Sequence, residues 1–251
     1  MSSISGGTVA LFFVALAAFA TEGAIGFGGT VIAACIGAQL VALDALLPAF
    51  VVLNLVLSSW LVARGARAIS WRVLVVEIAP VVAVGAAAGI AVGAVLRGGS
   101  AARANEVLAL VFGGFVVGLA LLQLVRPADR ELPRLARGAL LLIGGVAHGL
   151  FGTGGPMIVY VARRRLSEKR TFRATLAVLW LALNAALLAS FAQEGLYGDD
   201  ARDAGVVLAV AIVPGLALGE LVHRRLDAAR FERVVWLVLL GAGAALVVRT
   251  L

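Results

Sequence analysis

Charge is what this sequence has least of. Only 14% of its 251 residues are charged while 62% are hydrophobic, and the mean hydropathy is +1.06. A water-soluble fold has no use for so much apolar surface. Cysteine is nearly absent: Cys35 stands alone in apolar sequence, which excludes an intrachain disulfide and a cysteine-built metal site and leaves a small buried hydrophobe. There are two histidines, no H-E-x-x-H and no G-x-S-x-G, so an intramembrane enzyme built on an acid–base pair is a weak reading. No GK[ST] follows any glycine cluster, which argues against a nucleotide loop, and no cofactor or metal is expected. The opening MSSISGGTVALFF lacks a positively charged n-region and a small-residue cleavage site. It reads as a membrane element rather than a removed signal peptide.

What is present is a series of apolar runs at 45–63, 73–96, 106–125, 174–192, 204–222 and 234–248. Most can cross a hydrocarbon core of about 30 Å, which takes about 20 helical residues. The chain is therefore expected to be an all-α polytopic membrane protein. Its net charge of +7 sits in short loops between these runs, where it sets orientation in the lipid bilayer rather than marking a nucleic-acid partner. Lys169 is the one lysine among 21 basic residues, a bias of GC-rich bacterial genomes.

A shift of 126 residues aligns two halves, placing Glu22 on His148, Gly23 on Gly149, Gly26 on Gly152, Gly28 on Gly154, Gly29 on Gly155 and Thr30 on Pro156. IAPVVAVG (78–85) and IVPGLALG (212–219) match with a small change of register, and Glu106 and Glu232 each open the last run of their half. The expected plan is a first repeat over 1–126, a linker at 127–134 and a second repeat over 135–251, with four helical elements in each. The first elements, 8–42 and 135–162, are the ones broken by glycine.

Basic residues test how these broken elements sit. If 135–162 crosses once, Lys and Arg divide 12 to 9 between the two faces; if it enters and leaves on one face, they divide 17 to 4. The second split is the positive-inside asymmetry of a bacterial inner-membrane protein. Carried to the first half through the repeat, it leaves three crossings per half and inverts one repeat relative to the other. The loops 163–173 and 223–233 are then cytoplasmic, and 193–203 and the C-terminus periplasmic. For the N-terminus the placement holds only if the first element is re-entrant.

Irregular backbone at membrane depth survives only where protein or a watery cavity satisfies it. A half-helix starting at Thr30 or Pro156 would present free amides and a positive dipole end to such a cavity, a site for an anion without a buried cation. The candidate substrate-binding residues are Gly26, Gly28, Gly29 and Thr30, Gly152, Thr153, Gly154 and Gly155, with Asn54 and Asn184 as amide donors from the following runs, for which interhelical hydrogen bonding is an equal alternative. Glu22 and His148, just before the two tips, are candidates for proton coupling or gating. For Glu22 the alternative is that it hydrogen-bonds loop amides and holds the hairpin. Gly85, Gly89, Gly93, Gly241 and Gly243 read as packing glycines, Glu77 as interfacial, Trp60, Trp71 and Trp236 as aromatic-belt anchors and Trp180 as packing.

EGAIGFGGT, HGLFGTGGPMIVY and the two P-x-x-x-x-G runs together resemble the sulfite exporter TauE/SafE family, also called the 4-toluene sulfonate uptake permeases, over essentially the whole chain. The resemblance implies an inner-membrane secondary transporter of sulfite, sulfoacetate or other organosulfonates. Its paired glycine motifs fall on Gly26, Gly28 and Gly29 and on Gly152, Gly154 and Gly155, and Thr30 departs from the Gly-Gly-Pro of the second half. The expected mechanism is alternating access with the substrate at the midplane between the two tips, with protons as the candidate coupling ion. A passive anion channel using the same tips as a filter stays open, and the surface helices allow a homodimer.

Overall fold

The computed structural model describes residues 6–25, 29–98, 101–125, 133–153, 155–225 and 228–251, and among these there is no strand. The helices are α1 (Gly6–Ile25), α2 (Gly29–Gly37), α3 (Leu43–Gly65), α4 (Ala79–Arg97), α5 (Ala101–Val125), α6 (Arg134–Phe151), α7 (Gly155–Arg165), α8 (Lys169–Gln193), α9 (Asp199–Arg225) and α10 (Ala228–Thr250). Seven spans, from Leu43–Ala68 to Arg233–Thr250, are long and apolar enough to cross a membrane, so the chain is a multi-pass membrane protein. Arg134–Phe151 is one of them, whereas Gly6–Glu22 is shorter.

The helices run past the apolar runs at their ends. The last helix of each half begins at Ala101 and Ala228, ahead of Glu106 and Glu232, because helical hydrogen bonding continues beyond the apolar stretch into polar boundary turns. Basic residues close several helices, Arg64 on α3, Arg97 on α4 and Arg163, Arg164 and Arg165 on α7, where they complement the negative dipole end. Ahead of α4, residues Val73–Ile78 form a π-helical stretch in which the Ala79 amide reaches the Leu74 carbonyl five residues back. Pro80 stands at the start of α4 and has no amide to donate, so the preceding turn widens rather than leave a carbonyl unpaired.

The chain divides into two compact units, and each draws on both sequence halves. One comprises 1–49, 99–130 and 197–251. In it α1 lies along α9, α2 beside α1, and α5 along α10. Gly215 of α9 admits Phe19 and the Leu16 carbonyl of α1, and Gly113 of α5 faces the Gly243 carbonyl of α10 at 3.0 Å from its Cβ position. Asn105 donates to Asp44 at 2.9 Å, and the Arg249 guanidinium donates to the Gln39 carbonyl at 2.9 Å. Trp236 is buried in this unit, so it is a core residue and not a belt anchor; Trp60 and Trp71 are exposed as anchors would be.

The other unit comprises 50–98 and 131–196. Here α4 packs along α6 and α7 beside α6. The α4–α6 contact is backbone on backbone: a methyl group at Gly85 or Gly89 would meet the Leu142 or Val146 carbonyl, and one at Gly145 or Gly149 the Val82 or Ala86 carbonyl. Small residues permit this approach, which replaces the hydrophobic drive that lipid removes. The packing expectation thus holds for Gly85, Gly89 and Gly243; Gly241 faces open space and Gly93 makes room for the Arg97 guanidinium. Arg97 forms a two-pronged ion pair with Glu194 at the end of α8, with Ser190 donating to the same carboxylate at 2.8 Å. Arg165 pairs with Glu77 of the π-helical stretch at 2.6 and 2.7 Å.

Candidate substrate site

Helix α6 stops where its sequence requires. After Phe151, Gly152 takes φ 65°, a left-handed conformation that side chains resist, and its amide closes the helix on the His148 carbonyl at 2.7 Å. The chain restarts at Gly155 with Pro156 in the first turn, where a missing amide costs nothing. The helix thus resumes one residue earlier than the expected start at Pro156. Beside Gly155 there is room: a methyl group there would meet nothing within 4 Å. The first-turn amides of α7 have no carbonyl of their own helix to bond.

Around this break are two polar side chains with buried atoms that lack a hydrogen bond. His148 and Asn184 are each only 2% exposed, and neither His148 ring nitrogen nor Asn184 Oδ1 has a hydrogen bond. Their placement follows from helix geometry. On α8, Trp180, Asn184 and Leu187 share one face at spacings of four and three. Trp180 stacks on the His148 ring at 5.6 Å and 16°, and Leu187 lies 3.8 Å from the Cβ position of Gly152. Asn184 therefore sits between two residues that touch the last turn of α6. Val51 of α3 lies 3.5 Å from the same Cβ position of Gly152, one turn before half-buried Asn54. Thr153 is buried in the break itself.

Burial of unpaired polar atoms is costly, because each forfeits its hydration without a replacement. Most buried polar groups in proteins avoid that state. Three such atoms lie on residues packed around a broken helix that has room beside its restart at Gly155.

The first hairpin is different. Gly26 and Gly28 lie outside the described residues, as does Gly154 in the second. Helix α2 begins alongside α1: the Cβ position at Gly29 is crowded by the Glu22 carboxylate, by Glu22 Cβ at 2.9 Å and by the Ala18 carbonyl at 2.6 Å. Glu22 thus places its own carboxyl group against the first turn of α2. The structure gathers Glu22, Gly29 and Thr30 in one unit, and His148, Gly152, Thr153, Gly155, Asn54 and Asn184 in the other.

Sequence reasoning treated Trp180 as packing and did not see its stack on His148. The signal available was its spacing of four from Asn184, which puts both on one helix face.

The family described as sulfite exporter TauE/SafE matches residues 11–246 of the chain. Comparison with curated proteins and with solved structures gives no match.

Proposed function

As the chain belongs to the sulfite exporter TauE/SafE family, whose members are membrane transporters of sulfur-containing anions, we propose that it is a secondary transporter of sulfite, sulfoacetate or other organosulfonates working by alternating access. The observation that carries this reading is the set of buried polar atoms without hydrogen bonds, both His148 ring nitrogens and Asn184 Oδ1, beside the broken helix α6–α7. The first-turn amides of α7 and the Thr153 hydroxyl bind the oxyanion head, replacing part of its hydration without a fixed cation. Such a site attracts an anion and still releases it.

The two glycine-rich tips have unequal roles in this proposal. Glu22 acts as the internal anion of the first tip, holding α2 against α1, while the second tip has a histidine at the matching position and stays open to substrate. His148 is then the residue that couples anion movement to protons. Both broken elements are re-entrant, and the repeats are inverted. The fold-back of α2 supports this, since a straight helix would separate residues 18 and 29 by about 16 Å where Ala18 and Gly29 are in contact. The membrane is the bacterial inner membrane, with the loops 163–173 and 223–233 on the cytoplasmic side.

Proteoliposomes carrying the protein should show saturable sulfite or sulfonate flux with counterflow exchange. Folded protein with no flux for any sulfur oxyanion refutes the proposal, and flux without counterflow replaces the carrier by a channel. The pH dependence of flux should be lost in His148→Ala and kept in Glu22→Gln. The reverse pattern would return the coupling role to Glu22.

A further inference from the structure

A histidine that takes up a proton in an apolar place needs something to hold the charge. The His148 ring is 2% exposed and neither nitrogen has a hydrogen bond. Helices α4, α7 and α8 pack on α6, and Val51 of α3 touches its end at Gly152. The charged groups of these helices stand far from the ring. On α8 they are Lys169, Arg170 and Arg173, at least seven residues before Trp180, and Glu194 beyond the last turn. On α7 they are Arg163, Arg164 and Arg165, at least eight residues after Gly155, and on α4 Arg97, eight residues after the Gly89 that faces Gly149. Asp44 and Arg64 of α3 are seven or more residues from Val51, and Arg134 and Arg137 open α6 itself. Seven residues of helix span about 10 Å. An imidazolium here has no counter-charge on these helices, and its burial is costly.

One contact offsets that cost. Trp180 lies over the His148 ring, with centroids 5.6 Å apart and planes 16° from parallel. Among aromatic side chains indole attracts a cation best, within about 6 Å of its centroid and more strongly where water is excluded. The imidazole nitrogens lie in their ring plane, so the stack occupies neither, and a proton enters at the edge while the face stays covered. Helix α8 places a second aromatic ring beside a buried cation: Arg97, paired with Glu194, lies 5.1 Å from the Phe191 ring. We propose that Trp180 is a positioning residue for proton coupling, its indole face fixing the plane of His148 and stabilising the imidazolium. This rests on the reading of His148 as the coupling residue and says what makes that role possible.

A packing role and a proton-stabilising role differ in their pH dependence. Flux of ethanesulfonate, whose charge is constant across the range, is measured against pH in proteoliposomes, with sulfite in its place if no sulfonate is carried. Without the indole face the imidazolium is harder to form, so the midpoint should move to lower pH. The shift should be about one unit in Trp180→Leu and about half as much in Trp180→Phe. A second readout needs neither flux nor a change at residue 180. Trp60→Phe/Trp71→Phe removes the two exposed tryptophans and leaves Trp180 with Trp236. Its emission in detergent should fall on acidification, as the stacked imidazole becomes a quenching imidazolium, and His148→Ala in that background should abolish the change. An unshifted midpoint in Trp180→Leu, with pH dependence lost in His148→Ala, overturns the inference and leaves His148 as the coupling residue. Emission that ignores pH, or responds equally without His148, overturns it as well. If pH-dependent flux survives His148→Ala, the coupling role falls and the inference with it; absence of all flux removes the transport reading itself.

Discussion

Gly152 and Gly155 stand on either side of one break and answer to different constraints. Gly152 holds φ 65° and Gly155 does not require a positive φ but opens onto free space. Gly152→Ala should therefore cost about 1–2 kcal/mol for forcing a side chain into the left-handed region, lowering the melting temperature in detergent, while Gly155→Ala leaves it in place. Equal melting temperatures for the two variants would show that the left-handed turn is not what ends α6. In the other unit, Gly29→Ala should lower the melting temperature as well, because its methyl meets the Ala18 carbonyl and the Glu22 carboxylate. Part of the loss should return in Glu22→Ala/Gly29→Ala, which removes the carboxyl group; no recovery would place the conflict at the Ala18 carbonyl and the Cβ of residue 22, which alanine keeps.

Between helices, the strongest constraint is the approach of α4 to α6. Gly149→Leu would drive a side chain into the Ala86 carbonyl and toward the Ile90 amide at 2.7 Å. It should cost at least about 3 kcal/mol, the upper range for overpacking, whereas Gly138→Leu on the same helix meets nothing within 4 Å and should leave the melting temperature unchanged. The ion pairs differ in the same way. Arg165 and Glu77 are 44% and 29% exposed, so Arg165→Ala should change stability by less than about 1 kcal/mol. Arg97 and Glu194 are 8% and 18% exposed, and Arg97 also lies 5.1 Å from the Phe191 ring. Glu194→Gln should cost about 2 kcal/mol, below the roughly 3–5 kcal/mol for breaking a fully buried pair.

The Arg97–Glu194 pair also carries a pH dependence. Burial disfavours the Glu194 charge, but hydrogen bonds from Arg97 and Ser190 and the Arg97 charge outweigh it and hold the carboxyl below its ordinary range. A carboxyl depressed in the folded state contributes stability that is present above its unfolded value and lost as pH falls through the folded one. The gap in melting temperature between the unaltered protein and Glu194→Gln should therefore be widest near neutral pH and close on acidification. A gap independent of pH would mean that the carboxylate charge contributes nothing.

At the scale of the whole molecule, the proposed orientation can be read with cysteine labels, since the native Cys35 is buried and gives little background. Arg202→Cys, in the 193–203 loop and 80% exposed, should react with a membrane-impermeant maleimide in intact cells. Arg170→Cys should react only after permeabilisation. Labelling of both from outside would refute the arrangement in which 163–173 and 193–203 lie on opposite faces.

The amino-acid sequence by itself determined the all-helical membrane class, most of the helices and the end of α6 at Gly152. Those features rest on short-range physics: hydropathy sums over about 20 neighbouring residues, and glycine before proline ends and restarts a helix through its own backbone. It also singled out Glu22 and His148, because ionisable groups are rare at such depth. Only the tertiary structure decided that α1 lies on α9 and α6 on α4, pairings made by residues far apart in the chain. Only the tertiary structure distinguished the two tips: the 126-residue shift puts Glu22 and His148 at matching positions, but one carboxyl group turns onto the start of the next helix, α2, while the imidazole is stacked on Trp180 with no hydrogen bond to either ring nitrogen. Whether a polar side chain is satisfied depends on neighbours brought by other helices, and local sequence does not contain them.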